Sequence, residues 1–304
     1  MMNKIVVTGA TSMIGVATVN EAIKNNVEVL AIVRSNSKNL NRLPKSSLIK
    51  VLECELDKLD TIDSVGNDYE VFYHFAWGNT DKQTRNDPVL QEKNIKYSLD
   101  AVNLAKTLGC KKIIGAASQA EYGRVEGRLN ASTPINPDIA YGMAKYAAGR
   151  LTNLRCKELG IEHIWVRILS VYGIYDNPNT MISYAINELL AGREPEFTKC
   201  EQKWDYLFCE DAGRAFYLIG EKGKTNKIYC LGSGVARPLF DYLKTINIIL
   251  GKPENTGIGK KDYAPSQVMH LEADISDLTA DTDFKPTITF EEGLKRTINW
   301  LRKQ

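Results

Sequence analysis

The 304-residue sequence lacks the features that mark metalloproteins, nucleic-acid-binding proteins and membrane proteins. Its 39 lysines and arginines nearly balance 37 acidic residues, which argues against nucleic acid or an anionic membrane as the main partner. The three histidines and six scattered cysteines include no C-x-x-C pair or Cys/His cluster, so free thiols in a reducing cytoplasm are expected rather than a metal site. No apolar run approaches the roughly 18 residues of a membrane helix, and the start M-M-N-K leads directly into a strand rather than a signal peptide. We therefore expect a soluble cytoplasmic protein without a structural metal.

Two kinds of apolar pattern alternate along the first half of the chain. Short β-branched runs predict strands at Lys4–Thr8, Val27–Val33, Ile49–Leu52, Val71–Phe75, Lys112–Ala117 and Ile164–Ile168. Helical spacing between them predicts helices at Val16–Asn25, Val89–Leu108 and Ile139–Glu158, and Gly109 and Gly160 end the last two. Such alternation predicts an α/β fold with a parallel, doubly wound sheet. Ligands of these sheets bind at the carboxyl ends of the strands.

A glycine-containing turn, T-G-A-T-S-M-I-G over Thr8–Gly15, joins the first predicted strand to the first predicted helix. Such a turn directs backbone N–H groups and a helix dipole at one spot, which suits a pyrophosphate. Ser12 replaces the middle glycine of the usual turn, but its side chain is small and its hydroxyl can donate to a phosphate oxygen. The alternative is a tight strand-to-helix turn without a ligand.

The pattern changes near Tyr175, after which the segments become shorter and more irregular. The predicted elements there are a helical stretch that begins at Asn177-Pro178-Asn179 and runs over Ile182–Leu190, a loop at Thr256–Ser266, and a final helix at Phe290–Leu301. We expect a dinucleotide-binding domain over residues 1–174 and a smaller substrate-binding domain over residues 175–304. Segments near residues 204–235 are expected to return in part to the first domain.

Three side chains with exchangeable protons are predicted to meet at the carboxyl edge of the sheet. Tyr141 and Lys145 are four residues apart in a predicted helix and therefore share one face. An ammonium this close favours the phenolate, so we expect the pKa of Tyr141 to fall from about 10 toward neutrality, which suits a general acid or base. With 14 tyrosines in the chain, one such pair is also expected by chance. Ser118 strengthens the interpretation, because it lies just past the strand Lys112–Ala117, where its hydroxyl can hold a substrate carbonyl.

The glycine turn, Ser118 and Tyr141-x-x-x-Lys145 together resemble the extended short-chain dehydrogenase/reductase family, and within it the nucleotide-sugar epimerases, dehydratases and ketoreductases. The resemblance covers nearly the whole chain. Further matching motifs are His74-Phe75-Ala76, Asn94, Ser118–Gly123, Arg167–Gly173, Trp204-Asp205-Tyr206 with Glu210-Asp211, Asp274-Ile275 and Phe290-Glu291-Glu292-Gly293. The resemblance implies a Rossmann-type sheet with a smaller, mostly C-terminal substrate-binding domain.

The resemblance also implies roles for individual residues. Tyr141 would exchange a proton with a sugar hydroxyl or ketone oxygen, Lys145 would tune Tyr141 and bind the nicotinamide ribose, and Ser118 would hydrogen-bond the reacting oxygen. The implied cofactor-binding residues are Gly9, Thr11, Ser12, Met13, Ile14, Gly15, Arg34, Glu55, Leu56, Phe75, Ala76, Trp77, Asn94, Tyr141, Lys145 and Ile168. The implied substrate-binding residues are Trp77, Ser118, Gln119, Ser170, Asn179, Arg193 and Trp204.

One departure from the family pattern bears on the reaction. The family's 4,6-dehydratases have an acid and a glutamate directly after the serine, and these two residues eliminate water. Here the two positions are Gln119 and Ala120, neither of which transfers a proton. Glu121 is one position further along and, by strand alternation, is expected to point away. Dehydratase activity is therefore not expected.

A second departure concerns the cofactor. Relatives that use NAD place an acid at the end of the second strand, where it accepts hydrogen bonds from the adenosine ribose. This chain has Arg34 there, followed by Ser35, Ser37 and Lys38. A guanidinium can pair with a 2′-phosphate that a carboxylate would repel, so NADP is expected. The alternative is NAD, with Arg34 solvated or stacked on the adenine.

A third departure concerns the substrate. Many relatives clamp a nucleotide diphosphate with an arginine before the Asp205-Tyr206 pair and another in the C-terminal loop, but this chain has Trp204 and Ala264 there. Lys203, Arg193 or Arg237 could replace the charge, and Trp204 could equally be a core or stacking aromatic. Ser170 stands where relatives often have a substrate-binding asparagine.

The function expected from these residues is an NADPH-dependent 4-ketoreductase acting on a nucleotide-linked 4-keto-6-deoxyhexose. The nearest alternative is an NAD-dependent nucleotide-sugar 4-epimerase, which needs the same three side chains. A non-catalytic NADP sensor built on the same fold would be expected to lack one of the three. A homodimer is expected through the outer faces of Val89–Leu108 and Ile139–Glu158, which carry Leu99, Leu151 and Leu154.

Overall fold

The structure, a computed structural model, describes residues 2–63, 65–264 and 267–304. The strands within these residues are β1 (Lys4–Thr8), β2 (Glu28–Val33), β3 (Ile49–Glu53), β4 (Val71–His74), β5 (Lys112–Ser118), β6 (Gly127–Leu129), β7 (Glu162–Ile168), β8 (Ser170–Tyr172), β9 (Lys203–Trp204), β10 (Tyr206–Phe208), β11 (Ile228–Leu231), β12 (Arg237–Pro238) and β13 (His270–Ala273). The helices are α1 (Met13–Lys24), α2 (Pro88–Thr107), α3 (Ala140–Leu159), α4 (Met181–Leu190), α5 (Cys209–Lys222), α6 (Leu239–Ile249), α7 (Ser276–Thr282) and α8 (Phe290–Leu301).

The main sheet has seven strands in the order β3-β2-β1-β4-β5-β7-β11. Every neighbouring pair within it is parallel. The strand order reverses between β1 and β4, and this reversal opens a crevice at the carboxyl edge of the sheet. The predicted doubly wound parallel sheet is confirmed.

Both faces of this sheet are covered, which explains why its strands are apolar without alternation. Ile5 and Val7 of β1 face a core that includes Val19 of α1 and Phe216 of α5. Val6, between them, faces the opposite core with residues of α2 and α3. The helices therefore lie in one layer on each side of the sheet.

The second half of the chain contributes to two places. The strand β11 pairs with β7 in the main sheet, and α5 packs against α1. Apart from these, a separate core joins α4, α6 and α8. Two small sheets, β10-β8 and β12-β9-β13-β6, lie outside the main sheet. The domain limits expected from the sequence stay a prediction.

The predicted elements are present with small shifts at their ends. The helix α1 begins at Met13, three residues before the predicted start, because the Ser12 hydroxyl caps it by accepting a hydrogen bond from the Gly15 N–H at 3.1 Å. The helix predicted to begin at Asn177 begins at Met181, because the Asn177 side chain accepts from the Asn179 N–H at 2.9 Å and closes a turn.

Three expectations from the composition bear on the described residues. All six cysteines are described and are free thiols, five buried and Cys54 half-buried. Within residues 2–63, 65–264 and 267–304, no helix has the length and apolar character needed to cross a membrane. The loop predicted at Thr256–Ser266 has turns up to Gly259 and irregular backbone from there to Ala264, and Pro265 and Ser266 lie outside the described residues.

Candidate active site

A cavity of about 700 Å³ opens at the carboxyl ends of the main-sheet strands. The predicted cofactor residues that line it are Gly9, Thr11, Ser12, Met13, Ile14, Arg34, Leu56, Phe75, Ala76, Trp77, Tyr141, Lys145 and Ile168. It extends from Arg34, directly after β2, to Lys145, which is hydrogen-bonded to Ala116 of β5. The strands β1 and β4 lie between β2 and β5 in the sheet. Neighbouring strands lie about 4.8 Å apart, so the cavity has the extended form that a dinucleotide requires.

The glycine turn is packed so closely that side chains are excluded from it. Gly9 has a φ of +66°, and a Cβ there would lie 2.8 Å from the Ala76 nitrogen. A Cβ on Gly15 would lie 2.3 Å from the Gly9 carbonyl oxygen. Gly15 does not line the cavity. Its missing side chain instead lets the first turn of α1 pack directly against the Gly9 carbonyl. The start of α1 is open to the cavity, as a bound pyrophosphate requires.

The end of the cavity next to β2 is rich in positive charge. The side chain of Arg34 is exposed and makes no hydrogen bond or ion pair with the described residues. Arg42, which the sequence analysis missed, also lines the cavity. It donates to the Thr11 carbonyl at 3.3 Å and lies 4.8 Å from the centre of the Tyr175 ring. No periodic pattern marks Arg42, because it lies in a loop with a short 3-10 turn.

Glu55, a predicted cofactor residue, does not line the cavity. Its carboxylate accepts a hydrogen bond from the Ser35 backbone N–H at 3.0 Å. This bond ties the loop that carries Arg34 to the end of β3. Leu56, the next residue, does reach the cavity wall.

The structure brings Ser118, Tyr141 and Lys145 together at the end of the cavity away from Arg34. Ser118 ends β5, is buried, and accepts a hydrogen bond from the Ala120 N–H at 3.2 Å, which leaves its own hydrogen free to donate. Tyr141 stands in the first turn of α3 and interacts with the Ser118 hydroxyl. Lys145 lies one turn further along, buried, with Nζ donating to the Ala116 carbonyl at 2.6 Å.

The expected fall in the pKa of Tyr141 is wrong for this structure. Burial raises the pKa of Tyr141 above its usual value, and Arg85 and the Ser118 hydroxyl oppose that rise. Lys145 does not act as the expected cation because its Nζ is drawn to the Ala116 carbonyl and to the Trp77 ring, 3.6 Å from the ring centre. Burial lowers the pKa of Lys145 itself from 10.5 to about 7.

The loop after β4 forms one wall of the cavity near Tyr141, and two side-chain amides of α2 hold it by hydrogen bonds. The Asn94 side chain accepts from the Gly78 N–H at 2.7 Å and donates to its carbonyl at 3.1 Å. Gln91 accepts from the Trp77 indole at 2.9 Å and donates to the Asn79 carbonyl at 2.6 Å. Asn94 was predicted to bind the cofactor, but its amide is buried against the loop and does not line the cavity. It instead holds the turn that carries Trp77.

Gln119 and Glu121 lie in a 3-10 turn rather than in the strand, so strand alternation is the wrong reason for the direction of Glu121. The Glu121 carboxylate is fully buried and accepts from Arg167 and from the Trp165 indole, each at 2.9 Å. It is therefore held in an ion pair. The side-chain oxygen of Gln119 is buried and has no hydrogen-bond partner within the described part of the chain.

The predicted substrate residues other than Trp77 do not line this cavity, and they do not form one cluster. Ser170 and Trp204 meet, since the Trp204 indole donates to the Ser170 hydroxyl at 2.7 Å. Asn179 is exposed in the turn before α4. Arg193 lines a separate cavity of about 470 Å³ and is paired through two hydrogen bonds, at 2.7 and 2.8 Å, with Glu188.

The fold and the glycine turn define a Rossmann-type α/β protein. The family model of the NAD dependent epimerase/dehydratase family matches residues 5–232, and the chain belongs to that family. The expectation of an enzyme of the extended short-chain dehydrogenase/reductase type is confirmed.

Individual proteins match the chain along its length. A putative UDP-glucose 4-epimerase of Methanocaldococcus jannaschii is 27% identical, with 98% of each chain covered. A dTDP-4-dehydro-6-deoxyglucose reductase of Escherichia coli is 23% identical over 99% of this chain and 98% of its own. The solved structure of UDP-N-acetylglucosamine 4-epimerase from Methanobrevibacter ruminantium M1 has a TM-score of 0.89 at 23% identity, with both chains fully covered. The last similarity concerns the fold.

Proposed function

We propose that the protein is an NADPH-dependent reductase of a nucleotide-linked 4-keto-6-deoxyhexose. The observation that carries the proposal is the guanidinium of Arg34 at the end of β2, unpaired among the described residues, with Arg42 on the wall of the same cavity. Two cations at the adenosine end of a dinucleotide cleft favour a cofactor with a 2′-phosphate. Cells keep NADP largely reduced, so the preference favours a reductase over an enzyme that recycles its cofactor.

The residues at the other end fit the reduction of a ketone. The bound nicotinamide would supply the hydride. Tyr141 would donate the proton that the ketone oxygen gains, and the hydroxyl of Ser118 would donate a hydrogen bond to the same oxygen. Lys145, buried one helical turn from Tyr141, would hold the nicotinamide ribose through its Nζ.

The residues after Ser118 also support a reductase over a 4,6-dehydratase. Elimination of water needs a side chain that removes a proton from carbon and one that protonates the leaving hydroxyl. Gln119 and Ala120 provide neither group. The carboxylate of Glu121 is buried in its ion pair with Arg167 and is not available to a substrate.

The second candidate is an NAD-dependent 4-epimerase, because the same three side chains serve both reactions and the chain matches named epimerases along its whole length. The two candidates differ in how the cofactor is used. A reductase consumes NADPH in step with a 4-keto sugar and exchanges it freely. An epimerase retains NAD through purification and interconverts two sugars without net consumption.

Titration of both cofactors against three proteins tests the proposal. Wild type should bind NADP about 10- to 150-fold more tightly than NAD, the equivalent of one charge-assisted bond. Arg34→Asp should reverse that preference rather than weaken both cofactors. The control Lys199→Asp makes the same charge change at an exposed residue that does not line the cavity, and should keep the preference for NADP. If wild type binds NAD at least as tightly, the reductase proposal fails and the epimerase takes its place.

For the substrate we propose a diphosphate clamp at Arg237. The strands β12 and β9 pair antiparallel with Arg237 opposite Trp204, and directly opposed residues project from the same face. Arg237 therefore stands next to the position where relatives have an arginine. Its partner is the half-exposed Glu291, at 3.2 Å, and a pair of this kind is weak and can exchange for a phosphate. Arg193 is the poorer candidate because Glu188 holds it in another cavity.

We also propose a homodimer through α2 and α3. Val89, Met143, Leu151 and Leu154 on these helices are 64%, 51%, 42% and 58% exposed, and Leu99 is half-buried. Exposed apolar side chains on adjacent helices favour burial against a second copy. Sedimentation should show a dimer at micromolar concentration, and a monomer there would contradict the proposal.

A further inference from the structure

We propose that Arg85 is a positioning residue for the proton transfer: its guanidinium, held over the ring of Tyr141, stabilises the phenolate form of that side chain. The inference rests on the proposed function in one respect, namely that Tyr141 exchanges the proton. It assigns to the loop before α2 a part that the sequence motif gives to Lys145.

The backbone around Arg85 is anchored to both helices that border the site. The Arg85 N–H donates to the Asp81 carbonyl at 2.9 Å. The next residue, Asn86, accepts from the Ala140 N–H at 2.9 Å and so binds the first residue of α3, directly before Tyr141. Asp87 caps α2 by accepting from the Val89 N–H at 2.9 Å. The position of the Arg85 backbone is therefore set by hydrogen bonds to the first residues of α2 and α3.

The guanidinium carbon of Arg85 lies 4.5 Å from the centre of the Tyr141 ring, which is contact distance for a cation over an aromatic face. Arg85 has no carboxylate partner within the described residues, so its charge is not neutralised. The ammonium of Lys145 is further away, 5.8 Å from the same centre, and is bound to the Ala116 carbonyl. Of the two cations, Arg85 is the nearer to the phenol ring.

The charged and hydrogen-bonding groups near Tyr141 come from three elements. Arg85 comes from the loop before α2, Lys145 from α3, and Glu121 from the turn after β5, where Ser118 adds a hydroxyl. Burial raises the pKa of Tyr141, and the charge of Glu121 acts in the same direction. Arg85 and the Ser118 hydroxyl lower it. Removing the Arg85 charge should therefore make the phenol a weaker acid.

The test is a pH titration of the Tyr141 phenol in the nucleotide-free protein. The titration is monitored by NMR of tyrosine labelled at Cζ. The signal that disappears in Tyr141→Phe identifies Tyr141. Arg85→Gln and Arg85→Met should move its titration to higher pH by about one unit, the order expected for one charge near 4.5 Å with partial screening. Arg85→Lys should keep most of the effect. Arg302→Gln, the same change at an exposed site directly after α8, should leave the Tyr141 titration unchanged.

The kinetic counterpart is the fall of kcat at high pH, which follows loss of the phenol proton. This limb should shift upward in Arg85→Gln by the same amount as the NMR titration. If both neutral variants titrate as wild type does, Arg85 acts only in packing and the proposal is overturned. The NMR titration needs neither substrate nor cofactor, so a failure to turn over any 4-keto sugar would refute the proposed function without touching this inference.

Discussion

Replacing Lys145 with methionine should stabilise the nucleotide-free protein while it abolishes activity, and the gain should grow as the pH falls. The Lys145 side chain is buried, and its Nζ has one hydrogen bond, to the Ala116 carbonyl, and one aromatic contact, with Trp77. No ion pair joins it to a carboxylate in the described part of the chain. Methionine has a similar length and carries no charge that must be desolvated.

The magnitude follows from the two pKa values of Lys145. Burial lowers the pKa from the ordinary lysine value of 10.5 to about 7 in the folded protein, so the folded state binds the proton less tightly than the unfolded state. The cost of the charge is therefore fully present below about pH 7, declines as the pH rises, and disappears above the unfolded pKa. By linkage it amounts to about 5 kcal/mol near pH 6 and about 2 kcal/mol near pH 9. Loss of the contacts with Ala116 and Trp77 lowers the stability of Lys145→Met by the same amount at both pH values. The quantity to measure is therefore the difference between the stability gains at pH 6 and pH 9, about 2–3 kcal/mol.

Urea unfolding at these two pH values measures this difference, with wild type, Lys145→Met and the exposed control Lys295→Met. The free energy of unfolding of Lys145→Met, relative to wild type, should be about 2–3 kcal/mol higher near pH 6 than near pH 9. Lys295 is exposed on α8, and its replacement should show no such difference. An equal offset at both pH values would show that Lys145 titrates normally, and the account of its burial would be refuted.

Three further predictions follow from the site. Tyr141→Phe should lower kcat by about 10²- to 10⁴-fold with cofactor affinity unchanged, and near-normal turnover would remove the phenol from the mechanism. Glu121→Gln should lower the free energy of unfolding by about 3–5 kcal/mol because it leaves the buried Arg167 unpaired; chemical denaturation equal to wild type would show that the pair contributes nothing. Arg237→Gln should raise the KM of the nucleotide sugar roughly 10-fold or more and leave the Kd of NADP unchanged, whereas Arg193→Gln should change neither.

The main sheet could be predicted because its strands are unbroken apolar runs and because the end of each run marks the same edge of the sheet. Each strand is buried on both faces, so residues such as Ile5, Val6 and Val7 form an unbroken apolar run that polar loops interrupt. The carboxyl end of each run then locates one edge of the sheet, where the glycine turn and Ser118 were expected. Ends of helices were less accurate, because α1 begins where the Ser12 side chain caps it and not where the apolar spacing begins.

The parts of the site that sequence reasoning missed depend on loops and on side-chain partners. Arg42 and Arg85 lie outside periodic segments, and nothing in their neighbourhood distinguishes them from solvated cations. The meeting of Trp204 with Ser170 joins two strands, β9 and β8, that belong to different sheets. Arg193 looked equivalent to Arg237 in the sequence, and the structure separates them: Arg237 stands opposite Trp204, whereas Arg193 lines another cavity and is paired with Glu188.

The error over Tyr141 has a more general cause. A spacing of four residues in a helix fixes the separation of two Cβ atoms, but it leaves the end of a lysine side chain free to bind the strongest acceptor within reach. For Lys145 that acceptor is the Ala116 carbonyl near the carboxyl end of β5, rather than the phenol oxygen of Tyr141. The helix α3 therefore determines that Tyr141 and Lys145 lie in the same site. The loop before α2 and the ends of the strands determine which charged or polar groups contact each of these two side chains. In this chain Arg85 therefore lies over the face of Tyr141, while Lys145 is bound to the Ala116 carbonyl in the wall of the same cavity.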